Sequence, residues 1–306
     1  MGLRVCEKWF PKGSYKGQKE DGVYMNEKLK RQLDILLKNL PNDWDFTIII
    51  CGSGEVRVGK SVLAMLIACY CTYEMTYTYN KKVKFDLENN FCFSGLSLIK
   101  MGKNLGENYK YSSLLFDEAG ADMDAKKMMN RSTQTVLDYM RECGQYNLMN
   151  IIVLPDFFDL PKSIAITRSV CLIDVVYFAN AEDLFVRGYF RFYSRRQKKE
   201  LYLKGKKMLD YSAAKHNFDG QFINFYPVDE TKYRQMKMDA LKRRDAQHRD
   251  KALLQRNAAF YILNQDLNMT HEEIGRRIEQ ITGIYTPQTT VSDAITGNLI
   301  AKKGDV

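Results

Sequence analysis

Apolar positions along this chain fall into patterns that predict alternating strands and helices. Phe46-Thr47-Ile48-Ile49-Ile50 is a continuous, largely β-branched run, the pattern of a strand covered on both faces of a parallel sheet. Similar runs are Tyr111 to Phe116, Asn150 to Leu154 and Val170 to Phe178. Between them the period changes to that of helices. Asn26 to Leu40 places Leu29, Leu33, Leu36, Leu37 and Leu40 on one face and stops at Pro41. Ser61 to Tyr70 is apolar and free of Gly and Pro, Ser94 caps a helix to about Lys103, and Ser132 to Arg141 spaces Val136, Tyr139 and Met140 on one side. Lys82 to Leu87 and Phe91 to Phe93 read as one or two short strands. Strands and helices in alternation predict an α/β fold with a mostly parallel sheet in three layers.

The remainder of the chain has other rhythms. Residues 1 to 24 mix lysines with Gly, Ser and aromatics and read as a loosely ordered arm, so that 1–40 forms an arm and helix ahead of a core over 41–229. Phe185, Arg187, Tyr189, Arg191 and Tyr193 alternate in a period of two; Ser194 to Lys199 reads as a turn, and Leu201-Tyr202-Leu203 returns. This predicts a β-hairpin tipped by Arg195, Arg196, Lys198 and Lys199. Its tip serves equally well as a solvated turn or as a contact to a phosphate backbone. From Thr231 to Asn264 a basic stretch without Gly or Pro predicts a linker helix over 230–264. In the last segment, 265–306, Thr270-His271-Glu272-Glu273 is a capping box, and Thr286-Pro287 opens another helix.

Chemistry enters at the end of the first buried run. Gly54-Glu55-Val56-Arg57-Val58-Gly59-Lys60-Ser61 matches G-x-x-x-x-G-K-[ST], placed after a strand and opening a helix. Glycines there let backbone N–H groups and the helix N-terminus surround phosphate oxygens with no Cβ in the way. Lys60 would reach the β and γ phosphates of ATP, and the Ser61 hydroxyl would ligate Mg²⁺. Tyr111 to Phe116 ends in Asp117-Glu118, two acids at a strand end. Ligands of parallel α/β sheets bind there. Asp117 would hold Mg²⁺ and Glu118 would orient or deprotonate the attacking water.

These motifs resemble P-loop ATPases with RecA/ASCE-type cores, in which a glutamate follows the Walker B aspartate. Within that group the chain looks most like FtsK/HerA-like and Zot-like DNA motors of phages and mobile elements, over roughly Phe46 to Phe178. The branch is suggested by Arg141-Glu142-Cys143-Gly144, the strand Asn150 to Leu154, and Leu160 and Arg168 before the next strand. The resemblance implies a homo-oligomeric ring whose γ-phosphate is met by an arginine from a neighbouring subunit. Arg141 and Arg168 are the two candidates, Arg168 slightly preferred because the segment Pro161 to Thr167 should expose it near the strand ends. Such motors often carry Thr-Gln after the strand that here ends in Pro155-Asp156, a departure at the sensor position.

The last segment, Thr-x-Glu-Glu-Ile-Gly-Arg-Arg-Ile followed by Gln-Thr-Thr-Val-Ser-Asp-Ala-Ile, resembles helix-turn-helix DNA-binding domains. Its second helix would present Gln288, Thr289, Thr290 and Ser292 to DNA. The connection Gln280 to Tyr285 is longer than the usual turn, and a helical module for a protein partner is the other reading.

Charge bears on the partner. The net charge is +9, and residues 194–306 carry 21 Lys and Arg against 14 Asp and Glu. A basic C-terminal third favours a polyanion such as DNA. Seven cysteines without a C-x-x-C pair, and three histidines, argue against zinc and for reduced core thiols in a cytoplasmic protein. Met1 to Gly22 lacks an apolar signal core, and no apolar stretch is long enough to anchor the chain in a membrane. The expectation is therefore a Mg²⁺-dependent ATPase acting on DNA as an oligomeric translocase or genome-packaging motor. The alternative is an ATP-dependent DNA-bound switch or loader with slow turnover.

Overall fold

The structure, a computed structural model, describes residues 2–55, 57–125 and 131–303. Val56 of the phosphate-loop motif lies outside them. The chain divides into two units, one up to Arg234 and one from Gln235.

The first unit begins with an antiparallel pair, β1 (Gly2–Val5) and β2 (Val23–Asn26), in the register Val5↔Val23. Residues 1 to 24 are therefore not the loose arm expected from their composition. Strands of four residues are too short to show a period, and aromatic packing fixes them: Trp9 lies edge-on to Tyr73, and Phe10 and Tyr15 pack on Phe225.

α1 (Glu27–Asn39) follows, capped by the Asn26 side chain accepting from Leu29 N, and buries Leu29, Leu33 and Leu37 as its spacing predicts. β3 (Phe46–Cys51) is buried at every position and leads into α2 (Lys60–Tyr77). Then come α3 (Leu87–Asn90), β4 (Phe91–Cys92), α4 (Gly95–Asn108) and β5 (Ser113–Phe116). Residues 82 to 86 form no strand. Asp86 caps α3, accepting from Asn89 N, and only Phe91 and Cys92 reach the sheet. Ser94 caps α4 as expected. After α5 (Gly120–Met123) and α6 (Arg131–Glu142), β6 (Met149–Val153) and β7 (Cys171–Ala179) complete the parallel part.

The sheet order is β4-β5-β6-β3-β7, all parallel, extended antiparallel by β8 (Phe185–Tyr193) and β9 (Phe218–Gln221). Both faces are covered. Ile49, Cys51, Leu114, Phe116 and Ile152 meet apolar residues of α4 and α6 and of α7 (Arg195–Gly205) on one side. The pleat turns Ile48, Ile50 and Leu115 to the other side, where Ser113 Oγ reaches the Ala68 carbonyl of α2. This is the expected three-layer α/β core.

The basic hairpin requires correction. The hairpin that forms is β7 with β8, and Arg195 to Lys199 lie on the first turns of α7. Lys198, Leu201, Tyr202 and Gly205 make the buried face of that helix, at helical spacing. Lys198 is fully buried, its Nζ donating to the carbonyls of Ala165 (2.6 Å), Ile166 (3.2 Å) and Ser169 (2.8 Å) and to Ser169 Oγ (2.7 Å). It is thus a structural cation and not a DNA contact. Arg195, Arg196 and Lys199 are exposed.

α8 (Glu230–Gln265) spans the predicted linker helix. The second unit contains its greater part, α9 (His271–Thr282) and α10 (Gln288–Lys303), with a core of Phe260, Ile274, Val291, Ala294 and Ile295. Thr270 Oγ1 accepts from Glu273 N, the capping contact read from sequence. A Cβ on Gly275 would lie 2.5 Å from the Thr286 carbonyl oxygen, so a small residue is what lets α9 approach the start of α10. Among the described residues no helix is long and apolar enough to cross a membrane.

Candidate functional site

At the carboxyl ends of β3 and β5 lie four residues named from the sequence, Lys60, Ser61, Asp117 and Glu118, and the side chains of Ser61 and Asp117 are in contact. The loop from Ser53 to Gly59 holds left-handed backbone at Ser53 (φ 50°), Gly54 (83°), Arg57 (61°) and Gly59 (106°). Backbone of this kind is what an anion-binding concavity uses, although Glu55 N here is taken up by the Gly52 carbonyl. Gly52 N and Gly54 N donate to the Pro155 carbonyl at 3.3 and 3.0 Å, so the departure at the sensor position supplies backbone support to the loop. Ser53 Oγ donates to the Asp174 carboxylate at 2.8 Å. Burial pushes the Asp174 carboxyl above its ordinary range, against the pull of the Ser53 and Cys51 hydrogen bonds and the Arg191 charge. Glu55 and Arg57 are exposed, whereas Val58 is buried and anchors the loop.

Gly59 stands at the N-terminus of α2 without a side-chain cap. The first-turn N–H groups of an apolar helix therefore face the concavity, where an anion would satisfy them. Lys60 Nζ bonds the Glu55 carbonyl across the loop. Ser61 Oγ lies 3.2 and 3.1 Å from the two carboxylate oxygens of Asp117.

Asp117 is 1% exposed. Its backbone N donates to the Cys92 carbonyl (2.9 Å), and its Oδ1 accepts from Glu118 N (3.1 Å). Glu118 has φ 62°, a left-handed conformation that costs a non-glycine residue about 1–3 kcal/mol and is typical of functional sites. Ala119 N on the Val153 carbonyl (2.9 Å) holds that turn. Oxygen donors without sulfur or imidazole suit Mg²⁺. Ser61 and Asp117 are the residues that would hold it.

Sequence reasoning missed two aromatic side chains at this place. A Cβ on Gly59 would be 3.1 Å from the Phe222 ring, which therefore lies directly over the loop. Tyr233, on the first turn of α8, donates its hydroxyl to Asp117 Oδ2 and is 3% exposed. No local pattern marks either residue. Both arrive through tertiary packing of the segment after β9.

The arginine candidates lie elsewhere. Arg168 binds Asp45 (Nη1 to Oδ1, 3.0 Å), the Met140 carbonyl and Cys143 Sγ. Asp45 precedes β3, so this ion pair sits at the amino edge of the sheet, a six-residue strand away, or about 20 Å, from the loop. The segment ahead of Arg168 turns it inward, and its expected exposure near the phosphate end is overturned. Arg141, adjacent to Met140, shares that edge; it is exposed and paired with Asp138 at 2.8 Å. Asp156 caps the short turn at Phe157, accepting from Phe158 N and from the Tyr211 hydroxyl. In the second unit, Gln288 and Thr289 are exposed at the start of α10, with Thr290 and Ser292 half-buried.

No family model and no curated protein matches the chain. Among solved structures, it is similar to the genome packaging NTPase B204 from Sulfolobus turreted icosahedral virus 2 in complex with ATP-gammaS, at 13% identity and a TM-score of 0.32, over 50% of this chain and 94% of that one. The same protein in complex with AMP matches at 13% identity and TM-score 0.32, over 51% and 95%. In complex with sulfate it matches at 12% and 0.33, over 51% and 94%.

Proposed function

We propose that this protein is a Mg²⁺-dependent ATP hydrolase that acts on DNA as an oligomeric translocase or genome-packaging motor of a virus or mobile element. The observation that carries the hydrolase reading is the convergence of Lys60, Ser61, Asp117 and Glu118 at one sheet edge, around a loop of left-handed turns. Mg²⁺, when bound, would neutralise charge on the phosphate oxygens. Ser61 and Asp117 would hold it. The loop N–H groups and the Lys60 ammonium orient the phosphates and stabilise the charge that develops on the transferred group. Glu118, raised on its strained turn, positions a water and accepts its proton.

The DNA reading rests on the basic C-terminal third, on the start of α10 with Gln288, Thr289, Thr290 and Ser292, and on exposed Arg195, Arg196 and Lys199. In a ring, Arg141 is the exposed arginine that a neighbouring subunit would receive. The test is ATP turnover with and without single- and double-stranded DNA, together with the assembly state by light scattering. Several-fold stimulation by one DNA form, on an oligomer, supports the motor. Slow turnover indifferent to DNA, with stable DNA binding, replaces it with an ATP-dependent switch or loader.

A further inference from the structure

The carboxylate fitted to Mg²⁺ has a partner outside the two sequence motifs. Tyr233 reaches it from the segment after β9, and its ring is packed on three others: Phe91 (6.2 Å between centroids), Phe93 (5.8 Å) and Tyr226 (6.0 Å). Phe91 begins the strand beside β5, and the Cys92 carbonyl next to it accepts from Asp117 N, so ring and carboxylate are fixed to the same strand pair. Further along, Lys232 pairs with Glu88 on α3. The hydroxyl is thereby aimed at Oδ2 while Glu118 N occupies Oδ1.

A carboxylate that orients a metal's water shell needs a fixed rotamer, and hydrogen-bond partners behind metal ligands supply it. We propose that Tyr233 is a positioning residue for Mg²⁺, fixing the Asp117 carboxylate so that it and the Ser61 hydroxyl face the metal together. This rests on the nucleotide reading above. Tyr233 acts through Asp117 and touches no reacting atom.

The test uses the full chain and a fluorescent ATP analogue, titrated by anisotropy at increasing Mg²⁺ and without Mg²⁺. Tyr233→Phe keeps the ring among Phe91, Phe93 and Tyr226, and melting by circular dichroism checks that it folds. The expected result is a half-saturating Mg²⁺ concentration raised roughly 10-fold or more, with Mg²⁺-free affinity unchanged. In an Asp117→Asn background the same substitution should have no further effect on the Mg²⁺ dependence. Lys232→Ala, which breaks only the neighbouring exposed ion pair, should leave both quantities as in the wild type. An unchanged Mg²⁺ requirement in Tyr233→Phe overturns the inference; a lowered one does so too, since it would make the hydroxyl a competitor of the metal. If the wild type binds no analogue at all, the nucleotide reading falls and this inference with it.

Discussion

The Ser61 hydroxyl, on the first turn of α2, lies 3.2 and 3.1 Å from the two carboxylate oxygens of Asp117, at the end of a strand 56 residues further on. Between their strands runs β6, so the pair closes a gap one strand wide. A hydroxyl and a carboxylate at this distance present adjacent oxygens to one hard cation.

Ser61→Ala removes one of those oxygens and leaves Asp117 bonded to Tyr233 and Glu118 N. Steady-state kinetics should show kcat/KM lowered on the order of 10²-fold or more, the size of effect seen when one well-placed oxygen or donor is lost from a transition-state site. Far-UV circular dichroism should be unchanged, because Ser61 supports no core packing. Turnover within twofold of the wild type would remove Ser61 from the metal site.

Lys198 gives a prediction about stability and pH. Its ammonium is buried, and burial lowers its pKa to about 8 from 10.5. Between those values the unfolded chain holds a proton that the folded chain has released. Unfolding then takes up a proton at Lys198, so this residue's own contribution to stability rises as pH increases from about 8 towards 10.5, opposite in sign to that of the buried cysteines and tyrosines, whose pKa values burial raises. Lys198→Ala also deletes the hydrogen bonds to Ala165, Ile166 and Ser169 and leaves a cavity, at a cost of about 2–4 kcal/mol. Urea melts of both proteins across this pH range should show the stability difference, wild type minus variant, growing with pH. A difference that stays flat across this range would show Lys198 to be solvated.

Thr47 Oγ1 is buried with no hydrogen-bond partner, and both amide atoms of Asn150, its register partner on β6, are in the same condition. An unmade hydrogen bond of this kind costs about 1–3 kcal/mol. Thr47→Val keeps the branched shape and removes the hydroxyl, and should raise the stability measured by denaturant melts by about 1 kcal/mol. A loss of stability would mean that the hydroxyl is satisfied.

The sequence made the parallel sheet legible because strands covered on both faces must be apolar throughout, as Ile48, Ile49 and Ile50 are. It made the phosphate loop legible because glycine, lysine and serine are needed at fixed spacing. It hid α7 for the opposite reason. Ser194 to Lys199 looks like a polar turn, yet Lys198 is the buried member of a helical face with Leu201 and Tyr202, and its charge is satisfied by carbonyls no pattern announces. Arg168 was misplaced because spacing along the chain does not say at which end of a strand a loop emerges. Tyr233 was unreadable, since its partner is 116 residues away and its neighbours look like an ordinary basic helix.

The most direct test of the account is a comparison of nucleotide binding with turnover in Lys60→Ala and Glu118→Gln. If Glu118 handles the water and Lys60 the phosphates, Glu118→Gln should bind ATP as the wild type does, with kcat lowered by about 10²–10⁴-fold. Lys60→Ala should lose binding and turnover together. Near-normal turnover in Glu118→Gln, or undiminished ATP affinity in Lys60→Ala, would contradict the assignment of this sheet edge as an ATP-hydrolysing site.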